Sequence, residues 1–163
     1  MAVTRGLEIA EANGGTLTIV HVGKAEAEPV IRKALSMGAN EAIRIDADPT
    51  DAQYVAEEIA KIAVGYDLIL TGRESIDYNG GVVCGMLGSL LGITSINVVT
   101  RIDYADGKFS FDRDIDGGRE TVSCAGPCVA SAQKELCEPR IPNMRGIMAA
   151  RTKPLQVLAP QAA

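Results

Sequence analysis

Between residues 17 and 91 three short apolar runs alternate with three helical patterns, and no other feature constrains the fold as tightly. LTIVHV (17–22), EAIRID (41–46) and DLILTG (67–72) have the length and apolar content of buried strands. The segments that follow, about 26–37, 52–63 and 82–91, carry apolar residues at helical spacing; in the second, Val55, Ile59, Ile62 and Ala63 share one face. Strand, helix, strand in succession forces the strands to run parallel through right-handed crossovers. An α/β chain with a doubly wound, mainly parallel sheet is therefore expected. With two Phe, four Tyr and no Trp, its core must come from Ala, Val, Ile and Leu, as in parallel sheets covered by helices.

Punctuation supports this division. A first helix over 3–13 stops at Asn13-Gly14-Gly15, Gly38 and Gly92 close two later helices, and Pro49-Thr50-Asp51 offers a turn and an N-cap. Beyond residue 93 the pattern changes to strands at about 94–103, 108–114, 119–125 and 127–131, separated by Ala105-Asp106-Gly107 and Asp116-Gly117-Gly118. These turns predict antiparallel hairpins attached to the sheet. The tail reads as a loop, EPRIPNMRG (138–146), a basic stretch, IMAARTK (147–153), and an extended end, PLQVLAP (154–160). The division expected is a nucleotide-binding α/β domain over 1–131, with hairpins from 94, and a recognition loop and arm over 132–163.

Doubly wound sheets normally open on a central strand, whereas this chain opens on a helix. The expectation is that one central strand is missing, leaving two exposed edges with unpaired amides and a chain that folds poorly alone.

At 163 residues with 47% hydrophobic content the chain is the size of one globular domain. A net charge of −5 argues against a nucleic-acid partner, which asks for a basic domain or stripe. No run approaches the ~20 apolar residues that span a bilayer. Cys84, Cys124, Cys128 and Cys137 fit no zinc spacing, and the single histidine, His21, is distant in sequence, so they read as small apolar residues. A soluble protein of a reducing compartment is expected, either bacterial cytoplasm or mitochondrial matrix. Neither GxSxG nor HExxH is present, and Asp114, Asp116 and Glu120 surround a turn. The expectation is a chain without substrate chemistry of its own.

The segment richest in chemistry is DLILTGRESIDYNGG, which leads straight into a helix. Ligands of open α/β sheets bind beyond the carboxyl ends of strands, where glycines let backbone approach and a helix N-terminus offers free N–H groups to phosphate. Gly80, Gly81 and the amides of Val82 and Val83 are placed for this, while Asp77 and Asn79 can order the loop or bond a ribose. No Lys-Ser/Thr follows the glycines and GxGxxG is absent, so a passively bound mononucleotide fits better than triphosphate hydrolysis.

Several segments together resemble one family. GRESIDYNGG is similar to the nucleotide loop of electron transfer flavoprotein β subunits, and RDIDGGRETV with Pro127 to that family's signature hairpin. CEPRIPNMRGIMAARTKPL resembles its recognition loop and C-terminal arm, and IRKALSMGANEAIRID matches as well. The resemblance implies a core like that of adenine-nucleotide hydrolases and universal stress proteins. It also implies a heterodimer in which an α subunit carries most of the FAD site while β holds a structural AMP. By position the AMP would contact Val22 and the stretch from Leu68 to Val83, including Gly72, Asp77 and Asn79, with phosphate over Gly80, Gly81, Val82 and Val83. Where many members carry side-chain donors, this chain has Val82 and Val83, leaving the backbone to hold the ligand.

Asp114 matches a family position, usually Glu, that engages an α-subunit arginine near the flavin. Arg140, Pro142, Asn143, Met144, Arg145, Ile147 and Met148 match the loop that docks flavin dehydrogenases of the acyl-CoA dehydrogenase type, with Met144 as the apolar anchor. Phe111 and Ala130 depart from the hairpin signature, and the family's leading segment, which supplies the first strand, has no counterpart. Two alternatives stand beside the electron shuttle: an electron-bifurcating relative with a second FAD in place of AMP, and a nucleotide-binding protein of the universal stress type.

Overall fold

The computed structural model describes residues 1–76 and 78–161. Helix α1 (Ala2–Asn13) ends at Gly14, whose left-handed backbone (φ 67°) turns the chain into strand β1 (Thr18–Val22). A short 3-10 turn leads to α2 (Glu28–Ser36), then β2 (Glu41–Ile45) and α3 (Ala52–Ile62). Asp51 caps α3 as expected, its carboxylate accepting from the Tyr54 amide at 2.8 Å. Strand β3 (Leu68–Gly72) and α4 (Val83–Leu91) complete the alternating half. The remainder comprises β4 (Thr94–Ala105), β5 (Lys108–Ile115), β6 (Gly118–Cys124), β7 (Cys128–Ala132), α5 (Met144–Ala150) and β8 (Leu155–Leu158).

The strands form two sheets, β1-β2-β8 and β3-β7-β4-β5-β6. The first is wholly parallel; in the second, β3, β7 and the start of β4 are parallel while β4, β5 and β6 make the two expected antiparallel hairpins. The architecture is thus α/β and mainly parallel. Two features differ from the sequence expectation. Strand β7 is no hairpin partner of β6; it inserts in parallel between β3 and β4. The end of the expected loop and the start of the basic stretch together form the helix α5, and the extended end pairs with β2 as β8.

Packing explains the layers. Leu68 and Leu70 face one side of β3, packing with Ile96, Ala130 and α1 residues Ala2 and Ile9, whereas Ile69, beside Val129 of β7, faces α3 and α4 through Ala56 and Leu87. On the first sheet, Ile19 and Ala42 meet α2 and α5 through Ile31, Leu35 and Ala150; Val22 and Ile45 meet Tyr54, Val55 and Ile59 of α3. Helices therefore cover both faces, α1, α2 and α5 on one and α3 and α4 on the other.

Two helices bridge the sheets. In α1, a Cβ on Gly6 would lie 2.9 Å from Leu17 and 3.5 Å from Leu70, next to β1 and on β3 respectively. In α3, Ile59 belongs to the clusters of both sheets. Among the described residues β1 pairs with β2 alone and β3 with β7 alone, so each has one edge without a ladder partner. By contrast Cys128, Val129 and Ala130 of β7, held between two strands, are fully buried.

Candidate functional site

The candidate nucleotide site lies where the parallel strands of the second sheet end. Gly72 closes β3 and pairs with Ala132, the last residue of β7, which also pairs with Val99 of β4. Here β4 shifts register against β7, pairing with it in parallel up to Ile96 and again at Val99, where its other edge begins the antiparallel ladder with β5. The change requires a kink: Val98 has φ 60°, a left-handed conformation that a β-branched residue rarely takes. Ser131, buried on β7, holds it by accepting from the Val98 amide at 2.8 Å, with Asn97 Oδ1 3.4 Å from the same hydroxyl. Sequence patterning missed this kink, because the apolar run through Ile96, Val98 and Val99 reads as one uninterrupted strand.

The loop after β3 folds back on itself. The Ser75 amide donates to the Gly80 carbonyl at 3.0 Å, and the Gly80 amide donates to Ser75 Oγ at 3.3 Å. Asn79 takes a left-handed conformation (φ 52°), which Asx residues tolerate best after glycine. At Gly81 a Cβ would fall 3.2 Å from the Arg73 carbonyl, so the return pass runs close to the outgoing one. Arg73 reaches Gln133 Oε1 at 3.4 Å, joining the loop's start to the residue after β7. Val82 then caps α4 with no side-chain acceptor, leaving the amides of the first turn without intrahelical partners. Cys84, in that turn, lies 3.7 Å from the Ile96 carbonyl and anchors the helix start beside the β4 kink. Burial pushes the Cys84 thiol up, so it stays protonated and apolar in character.

Gly72, Asn79, Gly80, Gly81, Val82 and Val83 are thus brought together at one carboxyl end, while Asp77 lies outside the described residues. Leu68 is not part of this edge: it begins β3, roughly 13 Å from Gly72 at ~3.3 Å per residue, and its partly buried side chain packs against the core. Val22 ends β1, but its side chain is 7% exposed and packs toward α3. Asp114 is exposed on β5, where Arg119 across the hairpin comes within 3.4 Å of its carboxylate.

The other group of sequence-predicted residues lies around α5. Arg140 is tied inward: its guanidinium holds both oxygens of Glu11 on α1 at 2.6 and 2.8 Å, and its amide donates to Thr4 Oγ1 at 3.1 Å. The hydrogen bonds from Arg140 hold the Glu11 carboxyl below its ordinary range. Asn143 caps α5, its side-chain oxygen accepting from the Gly146 amide at 2.8 Å. Met144, the first residue of α5, is 73% exposed, and Arg145, Ile147 and Met148 are exposed too. Pro142 is half-buried against α2. Ile141, 87% exposed, belongs to the same surface and was not singled out from the sequence. Its neighbours Pro142 and Asn143, a turn and a cap, were the available signal.

An electron transfer flavoprotein domain matches residues 1–163, the whole chain. The chain belongs to the electron transfer flavoprotein family. It is 35% identical over 163 residues to a Bacillus subtilis protein named electron transfer flavoprotein subunit beta, covering 96% of this chain and 63% of that one. A Mycobacterium leprae protein of the same name is 33% identical over 168 residues, with the same coverage, and a Bradyrhizobium diazoefficiens one is 31% identical over 159 residues, covering 95% and 64%. The chain therefore spans a little under two thirds of the length of these relatives. No helix among the described residues is long and apolar enough to cross a membrane.

Proposed function

We propose that this chain acts as the β-type subunit of a two-subunit electron transfer flavoprotein, relaying electrons from flavin dehydrogenases with an α partner and catalysing no substrate reaction itself. The observation that carries the proposal is the match of the whole chain to the family domain, with the Gly80-Gly81 loop leading into the start of α4. That loop suits a structural AMP. Free amides of the first helical turn and the absence of a Cβ at Gly80 and Gly81 favour a phosphate held by backbone alone, and Val82 and Val83 add no side-chain donor. The Ser75 and Gly80 amides are spent bracing the loop, so the main-chain donors left to the anion are those of Gly81 and the first turn of α4. FAD, when bound, supplies the redox chemistry and is held mainly by the α subunit; Asp114 is this chain's contribution, exchanging Arg119 for an arginine of α.

Docking of acyl-CoA-dehydrogenase-type donors falls to Met144 and its neighbours. A polarizable, unbranched side chain at an exposed helix start adapts to several partners, as a carrier serving more than one donor requires. The antiparallel hairpins and α5 have no evident use in a stand-alone nucleotide sensor, which favours the subunit reading.

Co-expression with the cognate α subunit, followed by release and identification of bound nucleotides, tests the proposal. FAD together with AMP in a stable heterodimer is the expected result. FAD at both positions would place the chain with electron-bifurcating relatives, and a complex without any nucleotide would refute the AMP assignment.

A further inference from the structure

Most lysines and arginines of this chain sit within ion-pair distance of a carboxylate, among them Arg5, Arg44, Arg101, Arg113 and Arg140. Of the seven with no such partner among the described residues, Lys108 and Lys134 lie apart, and five lie together: Arg32 and Lys33 on α2, Arg145 on α5, and Arg151 and Lys153 just after it. In a chain of net charge −5 this is a local reversal of sign. The same place holds a groove of about 680 Å³ between α2 and α5, with Arg32, Lys33 and Arg151 at its rim, Pro29, Pro142 and Ile147 among its apolar lining, and no carboxylate in its wall.

The groove is braced before anything enters it. Arg32 donates to the carbonyls of Ala150 and Lys153 at 2.9 and 2.6 Å, closing the end of α5. Lys153 reciprocates across the gap, donating to Leu35 and Ala39 carbonyls at 3.0 and 2.6 Å beyond α2. Two cations are thereby committed to joining the helices, while Lys33, Arg145 and Arg151 remain exposed beside Ile147 and Met148. A rigid apolar trough with a cationic rim complements one kind of surface, an amphipathic helix carrying apolar residues on one side and carboxylates along its edges.

We propose that the α2–α5 groove is a second docking seat, which receives an acidic amphipathic helix of a partner protein. This deepens the docking reading given above, because Pro142 and Ile147 belong to both surfaces, but the seat is distinct from the Met144 tip. The tip supplies an apolar anchor; the groove supplies charge-directed orientation, and its contribution weakens as salt screens the rim.

The test titrates the isotope-labelled full chain with a helical peptide built from Leu and Glu, against versions with Gln or Lys in place of Glu. Saturable binding of the acidic peptide alone is expected, with amide shifts confined to residues 28–36 and 140–153. The pair Lys33→Glu and Arg151→Glu should weaken it about tenfold without changing the circular dichroism melt, and Met144→Ala should leave it within about twofold. Equal binding of the neutral or basic peptide, shifts mapped elsewhere, indifference to charge reversal, or no saturable binding would each overturn the proposal. Met144→Ala with a dehydrogenase donor in an electron-transfer assay separately judges the tip, so either seat can fail without the other.

Discussion

The loop after β3 and the face around α5 are both candidate recognition surfaces, and they are made of opposite materials. The loop offers backbone: Gly80 and Gly81, a left-handed Asn79, and the free amides of a helix capped by valine. The α5 face offers side chains: exposed Met144, Ile147 and Met148 beside Lys33, Arg145 and Arg151, which have no ion-pair partner among the described residues. A backbone site tolerates exchange of neighbouring side chains but not an added Cβ, whereas a side-chain face tolerates a change of shape but not of charge. One contrast to this rule sharpens it. At Gly146, within the side-chain face, a Cβ would stand 2.3 Å from the Ser36 carbonyl, so α5 reaches α2 only through a glycine.

The largest expected effect is therefore Gly146→Val. Steric conflict with a backbone carbonyl has no flexible side chain to relieve it, so a loss of about 2–3 kcal/mol is expected, roughly 4–12 °C in Tm for a chain of this size. Thermal unfolding measures this. The nucleotide content of the heterodimer should survive, since α5 makes no part of the loop. Parallel loss of nucleotide would show that the two surfaces are not separable.

Next comes Gly81→Val, set against Val82→Gln. The first puts a branched side chain where only 3.2 Å separates a Cβ from the Arg73 carbonyl, and about 1 kcal/mol of strain corresponds to roughly fivefold weaker AMP retention. The second changes an exposed side chain at the cap and should leave retention unchanged. If Val82→Gln strengthens retention while Gly81→Val has no effect, the loop is a side-chain site after all.

These contrasts bear on what the sequence could disclose. Local signals were legible wherever a segment's conformation is settled by its own residues: Asp51 as a cap, Gly14 and Gly92 as stops, and the two hairpin turns all appear where patterning puts them. Strand β7 was visible as a strand but its partners were not, because CVASA is buried on both faces and has no alternation to orient it. Helix α5 was hidden for a related reason: Gly146 lowers its intrinsic propensity, and contact with α2 makes up the difference. The loop itself was found through its glycines. The Val98 kink held by Ser131 is a contact between residues 33 apart in sequence, which spacing does not report.

A smaller effect separates tethering from docking. Arg140 was expected among the partner-binding residues, yet its fork holds Glu11. Both side chains are partly exposed, so Arg140→Met should cost no more than about 1 kcal/mol. The Glu11 carboxyl is held below its ordinary value, so the stability it adds is present above the unfolded pKa near ~4.3 and lost as pH falls through the lower folded value. Acid titration of unfolding should show this step in the parent and not in Arg140→Met.

The smallest effect lies at the end of β1. The His21 imidazole tucks beneath Gly23, whose added Cβ would be 2.5 Å from Nε2. Although the residue keeps exposed surface, partial burial first and the nearby Arg44 second hold its pKa below 6.5. The folded protein thus binds the proton less readily than the unfolded chain, so this contribution is complete above ~6.5 and declines as pH falls through the folded value. Protonation would add positive charge beside Arg44, already engaged with Glu28 and Asp46. His21→Gln should flatten that part of the stability profile by less than about 0.5 kcal/mol. Should the slope persist in the variant, the titrating group lies elsewhere.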